Sequence, residues 1–248
     1  MRSLAVVLVA IPAFFLTSCI ISIGGKSSWL GWGWSDLEHS HVEELALDPD
    51  LDRLDVVTGS GDILVRRDEG APRLVVTVRE EEPGDGMAYL DGHTLRVRSR
   101  SGDDVAIGAV EVYLAGETGE LVLSTGSGDV DLEGTPVAGQ LSVSTGSGDV
   151  EVAGLGNPAK VVVGTGSGEI VAASFRCRDL VMDTGSGDIE VVDVLAEGGS
   201  FDTGSGDVRV KRSSLQHVDA DTGSGDIDVR GSEVKHTSFR TGSGSVRQ

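Results

Sequence analysis

From Leu121 onward the chain alternates apolar and polar residues in short runs, and the runs recur in step. Leu121 and Leu123, Leu141 and Val143, Val161 and Val163, and Leu180 and Met182 stand four and two residues ahead of a threonine. Val130 and Leu132, Val150 and Val152, Ile189 and Val191, Val208 and Val210, and Ile227 and Val229 stand five and seven residues after one. Every second residue of a strand points to the same face, so these positions face inward. Ser144, Asp183, Asp202 and Asp221, and on the other side Asp131, Glu151, Glu190 and Asp228, fall between them and face water. The pattern predicts two strands per unit, joined by a turn.

That turn is Thr-Gly-Ser-Gly. It begins at Thr58, Thr125, Thr145, Thr165, Thr184, Thr203, Thr222 and Thr241, the last seven spaced 19 or 20 residues apart. A unit of this length holds two strands and two bends, with no room for a helix. It cannot bury a core alone, but stacked units share one apolar column. The expected fold is all-β: a single-stranded parallel β-helix, or solenoid, with 19–20 residues per coil and a rise of about 4.8 Å per coil. Glycine takes positive φ freely, which suits a sharp bend repeated from coil to coil. The threonine is expected half buried, its hydroxyl on the turn backbone.

The second bend varies in sequence, and Val137, Leu155, Phe175, Leu195, Leu215 and Val234 are its expected apolar plugs. Cys177 reads as a small buried hydrophobe. Between Thr58 and Thr125 the tetrapeptide is missing, but residues 74–78, 94–98 and 110–114 remain strand-like. This gives regular coils over 121–248 and irregular capping coils over 45–120, since terminal repeats must close an open end. The acidic, turn-rich residues 80–86 are expected to form a protruding loop.

Residues 1–18 read as a signal peptide: Arg2, an apolar run over 4–16, then Leu16-Thr17-Ser18-Cys19. The run is shorter than the roughly 20 residues a spanning helix needs. The segment resembles the bacterial lipoprotein signal, which implies that Cys19 becomes the first mature residue and carries acyl chains. Two or three such chains hold a protein firmly to a membrane without spanning it. Residues 19–44 form a Gly/Ser/Trp tether. Its Trp29, Trp32 and Trp34 suit the headgroup zone, or a packing strip over the first coil. Ile20 after the cysteine implies the outer membrane in a two-membraned bacterium. In a one-membraned cell it implies the cell membrane; either way the protein is lipid-anchored and faces the periplasm or the exterior.

The repeated Thr-Gly-Ser-Gly-Asp, joined to this signal, resembles the "putative adhesin" families of β-helical bacterial surface proteins, including the head GIN domain. The resemblance implies a right-handed parallel β-helix and an adhesin-like role. It implies no chemistry, because a fold does not fix a function.

Charge narrows the partners. Asp and Glu number 40 against 20 Lys and Arg, a net −20, which excludes nucleic acid as a partner because phosphate binding needs a basic face. The acids also form a column. Asp129, Asp149, Glu169, Asp188, Asp207 and Asp226 follow the second turn glycine in consecutive coils, as Asp62 does in the separate copy. Stacked about 4.8 Å apart in water, neighbours repel by about 0.9 kcal/mol. Either turn N–H groups or a row of Ca²⁺ ions must offset this. The calcium-binding nonapeptide places a residue between glycine and aspartate, which this turn does not. No other cofactor is expected.

Catalysis needs a local, non-repeating group of acids and bases. Here the acids repeat uniformly, while Arg209, Lys211, Arg212, Arg230, Lys235 and Arg240 scatter over the late coils. His39 and His41 fall in the tether. The expectation is a non-enzymatic cell-envelope lipoprotein, an adhesin-like scaffold for envelope proteins or glycans. A Ca²⁺-binding envelope module and a carbohydrate-active β-helix enzyme are the alternatives.

Overall fold

The computed structural model describes residues 37–248; Cys19 and the three tryptophans lie outside them. In chain order the strands begin with β1 (His39–Ala46), β2 (Arg53–Val57), β3 (Ile63–Arg67), β4 (Arg73–Glu80), β5 (Gly86–Asp91), β6 (Thr94–Ser99) and β7 (Val105–Leu114). Long and short strands then alternate: β8 (Thr118–Thr125), β9 (Val130–Glu133), β10 (Val137–Thr145), β11 (Val150–Ala153), β12 (Lys160–Thr165), β13 (Ile170–Ala173) and β14 (Arg176–Thr184). β15 (Ile189–Val192), β16 (Leu195–Thr203), β17 (Val208–Lys211), β18 (Ser214–Thr222), β19 (Ile227–Asp228), β20 (Glu233–Thr241) and β21 (Val246–Arg247) complete the series.

From β8 onward every long strand joins one sheet and every short strand the other, each pairing in parallel with its counterpart one coil away. The chain is a parallel β-solenoid, as the repeat predicts. Leu121, Leu141, Val161 and Leu180 fall in register and are fully buried. Burying one such side chain is worth about 1.5–3 kcal/mol. The Thr-Gly-Ser-Gly threonines are buried, not half-buried: Thr125, Thr145, Thr165, Thr184, Thr203 and Thr222 are all at most 6% exposed.

The copy at Thr58 is not separate from the stack. β2 lies between β6 and β8, and β3 between β7 and β9. Gly126 N–H donates to the Gly59 carbonyl at 3.0 Å, so this coil sits directly beneath the next copy of the turn. The chain leaves the stack after β3, builds β4–β7 and returns. β1 and β4 pair antiparallel, as do β4 and β7, while β5 and β6 form an antiparallel hairpin. Residues 45–120 hold the regular coil β2–β3, then β6 and β7, which pair in parallel with β2 and β3, and the antiparallel strands β4 and β5 beyond them. The ordered unit also starts earlier than the expected tether boundary, because His39 already pairs with Glu80.

The segment 80–86 does not simply protrude. Glu80 is 1% exposed, and its carboxylate accepts Gly84 N–H at 2.6 Å and Gly86 N–H at 2.7 Å. His41 Nδ1 lies 3.0 Å from the same carboxylate. Burial works against the charge, but these bonds outweigh it and hold the Glu80 carboxyl below its usual range. One acid ties strand β1, strand β4 and the loop together.

The second bend is regular in backbone although its sequence varies. Gly134, Gly154, Ser174, Asp193, Arg212 and Gly231, each nine residues after a turn threonine, all have φ between 49° and 78°. The residue that follows turns inward: Thr135, Leu155, Phe175, Val194 and Ser213 are buried. This corrects Leu195, expected as a plug. Asp193 sets the corner so that Val194 enters the core, leaving Leu195 42% exposed.

Candidate functional site

At the glycine corner each threonine hydroxyl from Thr125 onward joins two coils. Thr165 Oγ1 donates to the Gly148 carbonyl of the coil before at 2.9 Å and accepts Gly168 N–H of its own turn at 3.1 Å. Thr145, Thr184, Thr203 and Thr222 repeat this arrangement. The glycines permit the close stacking. A Cβ on Gly206 would overlap the Gly187 carbonyl, and the same holds along the column.

The acidic column uses the same one-coil step. Asp62 accepts the Asp129 N–H at 3.0 Å, Asp129 that of Asp149 at 2.9 Å, and Asp149 that of Glu169 at 2.8 Å. Beyond Glu169 the series resumes, with Asp188 accepting Asp207 N–H at 2.8 Å, Asp207 accepting Asp226 at 2.7 Å, and Asp226 accepting Ser245 at 2.7 Å. Arg209 bridges Asp188 at 2.6 Å and Asp207 at 2.5 Å, and Arg247 meets Asp226 at 2.8 Å. Charge-assisted bonds of this kind are about twice as strong as neutral ones. Although burial opposes it, the Asp207 N–H and Arg209 hold the Asp188 carboxyl below its usual range. This ladder supplies the offset for which Ca²⁺ was the alternative. Among the described residues no cluster of three or more His, Cys, Asp or Glu side chains is placed to hold a metal ion.

The basic residues of the late coils are ordered by the same step. Lys211 reaches Glu190 at 2.7 Å, and Arg212 reaches Asp193 at 2.8 Å. Both reach back one coil, whereas Arg230 meets Asp228 of its own coil at 2.5 Å. The signal was present in the sequence as acid–base pairs 19 or 21 residues apart, a separation that means contact only once the coil period is known.

The outer face of the long-strand sheet behaves differently. Asp183, Asp202, Asp221 and Arg240 stand in register on β14, β16, β18 and β20, yet the nearest cation is Arg240, 3.9 Å from Asp221. Burial, and then repulsion from Asp183, Asp221 and Asp219, push the Asp202 carboxyl above its usual range. Beside this row lies a groove of about 470 Å³, lined by Lys160, Asp179, Gly198, His217, Asp219 and His236. The two imidazoles stack with centroids 4.9 Å apart and planes at 21°. Periodicity marks these positions only as outward, so sequence reasoning missed the groove. Cys177, at the neighbouring corner, is partly buried, and burial pushes its thiol up to about 12. That leaves it unreactive at neutral pH.

The sequence profile of the Toastrack DUF4097 family matches residues 91–248, which take in most of the cap hairpin and all seven coils from β8 onward. The chain belongs to this family. Solved structures similar to this Toastrack chain share its fold. A "putative adhesin" from Bacteroides fragilis superposes with a TM-score of 0.59 at 14% identity, covering 87% of this chain and 99% of the other. A "putative lipid binding protein" from Parabacteroides distasonis gives 0.56 at 22% identity, covering 84% and 93%. A "putative adhesin" from the same species gives 0.55 at 13%, covering 84% and 96%. No curated protein sequence matches the Toastrack chain.

Proposed function

We propose that the protein is a non-enzymatic, adhesin-like interaction scaffold of the cell envelope, lipid-anchored at Cys19, which meets its partner on the outer face of the late long strands. One observation carries this reading. On the short-strand sheet and at its corners, the late coils' acids are matched by Arg209, Lys211, Arg212 and Arg247 from within the chain. On the long-strand face the acids are largely unmatched and border a groove. Rigid scaffolds carry binding where the regular pattern is broken. The similar Bacteroides and Parabacteroides proteins, each described as a "putative adhesin", agree with a binding role.

Two measurements test the reading. A labelled fatty acid should enter the full chain in bacterial cells, and Cys19→Ser should abolish its incorporation. The full chain should bind immobilised envelope glycans or envelope proteins saturably, with loss on changing Asp179 and Asp219 to asparagine. Binding that does not saturate, or that ignores these substitutions, would remove the scaffold reading.

A further inference from the structure

Gly198 has no structural reason to be glycine. Its φ is not left-handed, and a Cβ there would meet only the Asp179 carboxylate, at 3.5 Å, an ordinary contact. Its neighbour Gly199 is the opposite case, because a Cβ would press on Phe201 at 2.7 Å and Leu215 at 2.8 Å. Gly199 serves the core, whereas Gly198 leaves room on the outer face. In register with it stand Asp179 and then Lys160 on one side, and His217 and then His236 on the other, with the Lys160 ammonium in no ion pair among the described residues.

Charge complementarity selects what fills that room. Among the described residues Asp179 is paired only with its exposed chain neighbour Arg178, at 3.0 Å, and Asp219 with no cation. The Asp183–Asp202–Asp221 row lies alongside, and Asp202 already holds its proton more tightly than a free carboxyl. A cation entering the groove meets the Asp179 and Asp219 carboxylates that line it. A planar guanidinium does more: it binds carboxylates through two parallel N–H bonds and stacks on flat rings such as the paired imidazoles.

We infer that the groove floored by Gly198 binds arginine side chains of a partner polypeptide, held between Asp179, Asp219 and the stacked His217 and His236. The inference rests on the scaffold reading and names the chemistry of its partner. A strongly acidic protein attracts any cationic peptide, so the test must separate a site from a diffuse field. The probe is a fluorescent oligo-arginine peptide titrated against the full chain, with oligo-lysine and oligo-citrulline as comparisons.

Oligo-arginine should bind more tightly than oligo-lysine, and oligo-citrulline should not bind. Gly198→Leu, which fills the groove without changing charge, should weaken oligo-arginine about tenfold, the scale of one lost charge-assisted contact. Asp179→Asn with Asp219→Asn should do at least the same. The equal charge change on the other sheet, Asp131→Asn with Glu151→Gln, should have little effect. Equal loss from both pairs, or undiminished binding to a Gly198→Leu chain with an unchanged melting curve, would overturn the site. Specific peptide binding without envelope binding would sink the scaffold reading alone, and envelope binding untouched by Gly198→Leu would sink this inference alone.

Discussion

Thr165 and Thr135 are both buried threonines, and the structure gives them opposite values. The Thr165 hydroxyl satisfies a carbonyl of one coil and an N–H of the next. Thr165→Val strands both, at an expected cost of about 1–3 kcal/mol. The Thr135 hydroxyl is fully buried and has no partner. Thr135→Val keeps the shape and removes an unsatisfied group, so it should stabilise the fold by about 1 kcal/mol. Urea midpoints of the two variants should move in opposite directions. Ser174 supplies a second test, because its φ of 61° is strained for a residue with a Cβ. Ser174→Gly should stabilise by about 1 kcal/mol, and a chain that loses stability instead would deny the strain. The sequence announces Thr165 through an invariable turn. It conceals Ser174, since glycine, serine, aspartate and arginine all occupy the same left-handed corner.

At the level of the strand, the aligned inward positions show how one coil departs from its neighbours without breaking register. β16 carries Gly199 where β14 has Leu180 and β18 has Val218, and it carries the fully buried Phe201 two residues on. The ring occupies the volume that the missing side chain leaves. Phe201→Ala alone should cost about 3–5 kcal/mol through the cavity, and Gly199→Leu alone should be destabilising through overpacking. Combining Gly199→Leu with Phe201→Val restores the usual pair, so the double variant should cost clearly less than Gly199→Leu alone and Phe201→Val alone added together. Additive losses in denaturant titrations would refute the compensation. Period-two alternation located these strands and their inward faces. It could not distinguish β4, which pairs antiparallel, from a coil strand, because both show the same alternation. Nor could it place Leu195, whose orientation is set by the backbone of Asp193.

Across the whole molecule, the two ends are built differently. The first coil is covered by antiparallel strands fastened through Glu80, and that fastening depends on pH. Its folded-state pKa lies below the ordinary carboxyl value, so the ionised group contributes stability that is complete above the unfolded pKa. The contribution is lost as pH falls through the folded one. Protection of the β1 and β4 amides against hydrogen exchange, relative to their intrinsic rates, should therefore fall in acid before that of the coils. In Glu80→Gln that acid sensitivity should disappear, with the cap weakened at neutral pH. The repeat, the inward columns and the capping role of the early region were legible because they follow from period and alternation. The cap topology and the acidic groove were not, because both depend on which strands become neighbours after the chain leaves the stack and returns.

Hydroxyl, carboxylate and arginine contacts at the corners all reach back by a single winding and no further. Among the described residues no winding holds another at a distance, so the number of windings is not fixed there by a long-range clasp. A gene that gains or loses one Thr-to-Thr segment yields a rod longer or shorter by about 5 Å, with both extremities intact. The distance from the cap to the outermost winding is thereby a quantity that inheritance can adjust one notch at a time.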